Sequence, residues 1–481
     1  MKLSMRYIGL CLFMISTCFS QGISVKTIPL LTTDQFSLVP SFRDDMAGVS
    51  IAVRDGVADL FINPAKFDTA GHSQWFLFPR LNHWHDSQET STRYNGSWPN
   101  QNLSQRSSHS TIFSLPFGLF LRHRHLYTAV NTALQHVSST SEQNAHFGAS
   151  NYPISWRGGY YVSSLRITIG LGMDYVRIRG IDGVYLLYPN SVRLEQKGSA
   201  RQFRWGTGGT LANGDQWSLL GSRYFYKIRQ TEQNILNKDE NDGWLVQADY
   251  LKPVNNQLTV GFLITADWRY HPKIPEYPLA GIPRDPGNTR AWNVGLGLKW
   301  RNEATLWALD LIYEPIDVKT WADAATDRTL ADGQIIHQGH VIMRNDYQFY
   351  NRLVRSGVQI QPAAWLCVAT GAQVKVFTYD YYQNDFINRS ERTAKPQRCW
   401  SEVNWTGGIK IKSGQFDVNY TLQLQLGSGL LERQWLWRWS GTAESGIVDF
   451  AKADFLIPPT VSLNVLPVTY YTQKVGLRYH F

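Results

Sequence analysis

The chain has 481 residues and a formal charge of +9, but no Lys/Arg-rich run or recognition motif goes with that charge, so a nucleic-acid partner gains no support. Its 18 Trp, 24 Tyr and 22 Phe, beside only 18% charged residues, are out of keeping with a soluble secreted domain. No stretch after the N-terminal region offers the roughly 18 consecutive apolar residues of a membrane helix, which argues against a helical membrane protein.

At the N-terminus, Lys2 and Arg6 precede an almost wholly apolar run from Tyr7 to Cys18, and Cys18-Phe19-Ser20 stands before Gln21. This pattern predicts a secretory signal over residues 1–20, too short to span a bilayer. A lipoprotein reading at Cys18 is weakened by Thr17, a poor residue to precede a lipidated cysteine. Export would leave Cys367 and Cys399, which an oxidising compartment permits to pair; the alternative is two unpaired cysteines on separate strands or loops.

Residues 21–70 lack the character of a wall and are expected to form a small plug. Asp44 to Phe67 is rich in small residues, which permit close packing, and Pro64 forces a break after Asn63. Asn63 is suited to satisfy backbone donors there.

Residues 71–481 carry strict alternation, as required of strands that separate lipid from water. Leu258, Val260, Phe262, Ile264, Ala266, Trp268 and Tyr270 share one face; Thr259, Gly261, Thr265 and Asp267 share the other, with Leu263. Trp244 to Tyr250, Trp292 to Trp300, Trp307 to Tyr313, Val403 to Ile411 and Phe416 to Leu426 repeat the pattern. Several runs exceed the usual soluble strand and suit a membrane-crossing one of about 9–11 residues. Short turns at Asn213-Gly214-Asp215, Lys252 to Asn256, Arg301 to Glu303 and Ser413-Gly414 alternate with long connections at Gln230 to Asn241, His271 to Thr289, Pro315 to Ile336 and Gln383 to Arg398. The expected fold is all-β: a transmembrane antiparallel barrel of about 14 strands with a small N-terminal plug, exported to the bacterial outer membrane. The stretches from Trp84 to Tyr152 and after Gly427 do not resolve into strands by pattern alone.

At the C-terminus Val475, Leu477, Tyr479 and Phe481 alternate with Gly476, Arg478 and His480. The segment resembles the assembly signal of outer-membrane proteins, which implies barrel-assembly machinery as a partner. The remaining expected partners are membrane lipid and lipopolysaccharide, whose phosphates would suit the positive charge.

Ala58-Asp59-Leu60-Phe61-Ile62-Asn63-Pro64-Ala65, read with its position before the first strand, resembles the hatch of the FadL/TodX family of hydrophobic-compound channels. The hairpin from Gly357 to Leu366 is a second likeness. Lys66 stands where that family usually has Gly. The resemblance implies a 14-stranded barrel with Asn63, Pro64 and Ala65 in a hatch. It also implies passive uptake of fatty acids or aromatic hydrocarbons, leaving sideways through the wall. Related barrels serve as protein-secretion partners without small-molecule transport, which is the alternative.

Enzymatic chemistry is not expected. No Gly-x-Ser-x-Gly elbow occurs, and no cofactor or metal is implied. The pairs His83/His85 and His123/His125 lack the carboxylates or cysteines of a metal site and read as interfacial or loop residues. Asp249, Asp267, Asp310, Asp417, Asn419, Lys410 and Lys412 fall on polar faces and are expected to line the lumen as solvated wall residues. Trp435, Trp437 and Trp439 read as a girdle.

Overall fold

The computed structural model describes residues 26–27, 38–66, 71–90, 104–141, 146–182, 194–232, 235–271, 287–324, 326–330, 332–386, 390–431, 456–457 and 465–481. Its main element is a closed antiparallel barrel. Strand β1 comes in two segments, Gln74–Leu77 and Arg80–Thr90, that share the same two neighbours. The wall continues as β2 (Ser104–His123), β3 (Leu126–Ser141), β4 (His146–Val162), β5 (Ile167–Asp182) and β6 (Leu194–Thr210). Then come β7 (Gln216–Glu232), β8 (Ile235–Pro253), β9 (Leu258–His271), β10 (Gly287–Arg301) and β11 (Thr305–Asp323). The last are β12 (Val341–Ala363), β13 (Leu366–Asp385), β14 (Ser390–Ser413), β15 (Phe416–Leu431) and β16 (Val465–His480), which closes the ring against β1. None of the described helices is long and apolar enough to cross a membrane; strands make the wall.

The alternation in the sequence becomes two faces. Along β9, Phe262, Ile264 and Trp268 are exposed at 50%, 52% and 44%, while Thr259, Thr265 and Asp267 are buried inside. The same inversion recurs on β3, where Leu134 is exposed and Gln135 buried, and on β15, where Tyr420 is exposed and Thr421 buried. A continuous outward face of large apolar side chains is stable against lipid tails and not against water.

The wall has sixteen strands rather than about 14. The stretch from Trp84 to Tyr152 supplies most of β1's second segment, β2, β3 and the start of β4. Ser-rich and Pro- and Gly-containing runs there blur the alternation, but cross-strand pairing holds them in register. Three expected long connections are largely strand: Gln230 to Asn241 contributes to β7 and β8, Pro315 to Ile336 begins inside β11, and Gln383 to Arg398 enters β13 and β14. Their side chains are polar on both faces, so periodicity is lost, while the ladder satisfies their backbone. The hairpin turns joining β2–β3, β4–β5, β6–β7, β8–β9, β10–β11, β12–β13 and β14–β15 are all short and share one end of the barrel. The signal region, most of the His271 to Thr289 connection and the Trp435, Trp437, Trp439 group lie outside the described residues.

Prolines interrupt this ladder at one sector. Phe78 N donates to Pro116 O at 3.0 Å, and Val475 N donates to Pro79 O at 2.9 Å. Neither Pro116 nor Pro79 has an amide hydrogen to return, so β1 is held on both sides by half of the usual pair. Between β3 and β4 the printed register passes from Thr132↔Ile154 to Gln135↔Asn151, skipping the level of Pro153. On the far side of the barrel, pairing is likewise skipped between β10 and β11 at Pro315.

Cys367 is a free, buried thiol opposite Lys410 in register. Cys399 pairs through its backbone with Thr378, further along the same two strands. At ~3.3 Å per residue the two cysteines stand more than about 30 Å apart, far beyond disulfide reach.

Candidate functional site: a plug anchored across the lumen

Residues 38–66 lie inside the wall near the short-turn end. A 3-10 turn, Phe42–Met46, leads through an extended stretch to helix α1, Gly56–Ile62. The turn ends because Ala47 adopts φ +57°, with Gly48 following at φ +76°. Asp55 precedes the helix without capping it through its side chain; its carboxylate accepts from Ser41 Oγ and, at 2.9 Å, from Phe42 N. Asp59 reaches back to Asp55 N at 2.9 Å and pairs with Arg43 at 2.5 Å. The segment is thus tied to itself by a buried Ser41–Asp55 and Arg43–Asp59 lattice, replacing the core that so short a segment cannot build.

The plug is also tied to wall strands around the ring. Asp44 pairs with Lys474 of β16 at 2.5 Å. Thr406 of β14 receives Ala47 N at 2.8 Å and donates to Asp45 O at 2.9 Å. Thr421 of β15 donates to the Asp45 carboxylate. Arg355 of β12 donates to Gly48 O at 3.2 Å, and Asp310 of β11 accepts from Ser50 N at 2.7 Å. Asp249 of β8 joins Arg54 at 2.7 Å and Lys66 at 2.6 Å. Backbone groups left over by an irregular segment are expensive to bury, and these wall side chains satisfy them.

The C-terminal end of α1 is held by a buried charge cluster. Arg157 of β4 donates to Phe61 O through Nη2 at 2.6 Å and through Nε at 3.0 Å, and Arg204 of β6 donates to Ile62 O at 3.1 Å. Both guanidinium groups bind Asp174 of β5 at 2.7 Å. Cations at the unpaired carbonyls of a helix end are favourable, and Asp174 compensates two charges that could not otherwise remain buried.

The Asn63-Pro64-Ala65 turn follows. Asn63 Oδ1 accepts from Ala65 N at 3.0 Å, while Nδ2 donates to Ser218 Oγ at 3.0 Å and Leu219 O at 3.3 Å. Tyr127 donates to Pro64 O. Such approach needs wall glycines: a Cβ at Gly206 would lie 2.0 Å from Asn63 Oδ1, and one at Gly371 2.4 Å from the Met46 carbonyl carbon.

On the β1–β3 side the contact is apolar. Val39, Val57, Leu60 and Phe61 of the plug pack with Phe76, Phe120, Tyr127 and Ala129 of the wall. This is the sector where prolines interrupt the ladder. Where α1 hands over to β1, a cavity of about 210 Å³ opens among Arg54, Lys66, Arg122, Arg166, Trp217 and Ser218.

The structure therefore brings Asn63, Pro64 and Ala65 together with Asp249 and Asp310, and assigns the two aspartates a different setting from the solvated wall expected of them. Both are buried anchors of the plug. Asp267 faces inward elsewhere and accepts from Tyr224 Oη at 2.9 Å. Lys410, Asp417 and Asn419 sit by the β14–β15 turn; Lys410 and His480 contact Asp417 at 2.6 and 3.3 Å, and Lys412 is exposed beside them. Val475, Leu477 and Tyr479 lie on the outward face of β16, with Phe481 following, its ring 6.1 Å from that of Tyr479. His83 packs against Tyr471 at 5.0 Å, and His125 lies between Tyr160 and Tyr161. Sequence reasoning missed Arg157, Asp174 and Arg204. Their inward parity within apolar strands was a usable signal, since a charge on the inner face needs a partner.

No protein-family model and no curated protein matches the sequence. Among solved structures, the chain is similar to the toluene transporter TodX of Pseudomonas putida, with 10% identity, 92% of this chain and 98% of that chain covered, and a TM-score of 0.43. It is similar to a FadL homologue of Pseudomonas aeruginosa, with 10% identity, 96% and 100% covered, and a TM-score of 0.43. It is also similar to the toluene transporter TbuX of Ralstonia pickettii, with 10% identity, 92% and 98% covered, and a TM-score of 0.39. Likeness at this level assigns no cargo to this chain.

Proposed function

We propose that this chain is an outer-membrane channel for passive uptake of hydrophobic molecules, closed at its periplasmic end by the plug and released sideways at strand β1. The observation that carries the reading is the coincidence of two features in one sector. The apolar contact of the plug, from Val39 to Phe61 against Phe76 and Phe120, lies against the strand that Pro79 and Pro116 leave half-bonded. An apolar solute gains free energy from such a lining, and it needs a wall that yields rather than an aqueous exit. The polar anchors elsewhere on the ring hold the rest of the plug in place, so a solute meets its least resistance toward β1.

The barrel orientation follows from its turns: short hairpins face the periplasm and the longer connections face outward. The plug and the Arg54, Lys66, Arg122 and Arg166 cavity then lie at the periplasmic end. The barrel performs no chemistry in this scheme. Its work is to exclude the polar lumen from ions while offering apolar solutes a route into the bilayer.

The test is uptake of a radiolabelled long-chain fatty acid and of labelled toluene by cells lacking their own channel, with surface expression matched. Uptake should rise with the intact protein and change when Asn63→Ala loosens the plug. A correctly inserted barrel that raises uptake of neither solute contradicts the proposal and favours a structural or secretion partner.

A further inference from the structure

The outward face of β5–β7 departs from the apolar wall in one direction of charge. On β5 the outward positions run Ile169, Leu171, Met173, Tyr175, Arg177. On β6 they run Trp205, Phe203, Arg201, Ser199, Lys197, and on β7 Leu219, Gly221, Arg223, Phe225, Lys227. Register stacks these into rows. Met173, Phe203 and Arg223 are cross-strand neighbours; above them come Tyr175, Arg201 and Phe225, and above those Arg177, Ser199 and Lys227. Lys197 stands between Arg179 and Arg229 in the next row. Arg177, Lys197, Arg201 and Lys227 are exposed.

Arg223 is differently placed. Its guanidinium stacks on Trp244 and Phe225 at 4.4 and 4.8 Å and pairs with Asp242 at 2.7 Å. It belongs to the aromatic row, with Arg201 lying 5.8 Å from the Tyr175 ring just above. Acidic residues enter only at the borders: Asp242, and by register Glu240 opposite Lys227 and Glu195 opposite Thr231. Other outward cations of the described wall have acids near them: Arg344 pairs with Asp346 at 3.1 Å, Lys319 with Asp317 at 3.8 Å, and Arg290 faces Asp317 in register. Arg352 stands singly.

Like charges opposite one another on a sheet repel, and a cation on the lipid face is costly except near the interface. An apolar row, an aromatic row and a cation row, in that order toward the outer end, match an amphiphile whose acyl chains lie below its phosphates. With strands about 4.8 Å apart and same-face residues roughly 6.8 Å apart along a strand, Arg177, Arg201 and Lys227 can converge on one phosphate group. We infer that this sector is a binding site for a phosphorylated, multiply acylated glycolipid of the outer leaflet, lipid A in chemical class. The inference rests on the membrane orientation proposed above, not on the cargo.

The test is native mass spectrometry of the purified barrel with bisphosphorylated lipid A, with the same lipid dephosphorylated, with phosphatidylglycerol and with inorganic phosphate. The triple variant Arg177→Gln/Arg201→Gln/Lys227→Gln is compared with Arg344→Gln, which removes a cation from another sector. With each cation near an anionic lipid contributing about 1 kcal/mol, the triple variant should lose more than about tenfold in lipid A affinity. Arg344→Gln should bind as the parent does, and dephosphorylation should weaken binding to the parent similarly. Equal binding by the triple variant, equal binding of the dephosphorylated lipid, equal binding of phosphatidylglycerol or competition by inorganic phosphate would each overturn the site. Heat-modifiable gel mobility confirms that the variant barrels are folded. Labelling of a cysteine placed at Asp332, between β11 and β12, by a membrane-impermeant reagent on intact cells checks the orientation separately. Absence of solute uptake bears on the channel proposal and leaves this result unaffected.

Discussion

The Lys66 ammonium lies 2.6 Å from Asp249 Oδ2, closing an ion pair between the last described residue of the plug and wall strand β8. Arg54 binds the other oxygen of the same carboxylate at 2.7 Å, and Ser218 donates to it at 2.5 Å. One wall carboxylate therefore gathers both ends of the segment that contains α1. Burial presses the Lys66 pKa below its ordinary value, with Arg54 adding to that effect and Asp249 opposing it.

Asp249→Ala should release this end of the plug. It strands two poorly exposed cations, a loss of roughly 3–5 kcal/mol for a buried pair broken from one side. Limited proteolysis of the folded barrel in detergent should cut between residues 47 and 71 much faster than in the parent, while heat-modifiable mobility of the wall is retained. Lys66→Met should do less, because Arg54 still holds Asp249.

Asn63→Ala removes the acceptor for Ala65 N and the donor to Ser218 Oγ and Leu219 O. Leaving buried partners unsatisfied costs on the order of 1–3 kcal/mol. Gly206→Ala should reproduce the phenotype from the wall side, since its Cβ would meet Asn63 Oδ1 at 2.0 Å. Both variants should raise single-channel conductance to small ions in planar bilayers. A silent Gly206→Ala would show that the close approach is not required for closure.

Plug docking should weaken as pH rises. Burial pushes the Asp45 carboxyl up to about 7, with Asp44 adding to the rise, while the hydrogen bond from Thr421 and the charges of Lys474 and Arg478 oppose it. A free carboxyl titrates near 4. The docked state therefore favours the protonated form, so its contribution is complete below about pH 4 and is lost as pH rises through about 7. Conductance and protease sensitivity should increase between pH 5 and 8 by an amount that Asp45→Asn flattens.

The wall was legible in the sequence wherever inward and outward faces differ in polarity. Phe262 and Ile264 against Thr265 and Asp267 is such a case, and the short turns placed its hairpins. The two additional strands were hidden because Pro116 and Gly118 break the alternation within β2, and because residues around Lys238 are polar on both faces. The Asn63-Pro64-Ala65 turn was visible as a local motif, its chain break set by Pro64. Its partners were not, because Ser218, Leu219 and Tyr127 are brought to it by ring closure rather than by sequence spacing. Asp249 and Asp310 were placed on the inner face by parity alone, but parity carries no information on whether water or the plug meets them there. The β16 cations Lys474 and Arg478 were obscured for the same reason.

The central claim is passage through the half-bonded strand, and the most direct measurement is hydrophobe flux through a wall whose missing donors are restored. Pro79→Val/Pro116→Ala returns two backbone N–H groups to the β16–β1–β2 ladder. Two added hydrogen bonds of about 1 kcal/mol each should slow transfer of a fluorescent fatty acid into proteoliposomes by about tenfold or more. Small-ion conductance and heat-modifiable mobility should stay as in the parent. Flux that is unchanged or faster, in a barrel shown to be folded and inserted, would contradict lateral release at β1.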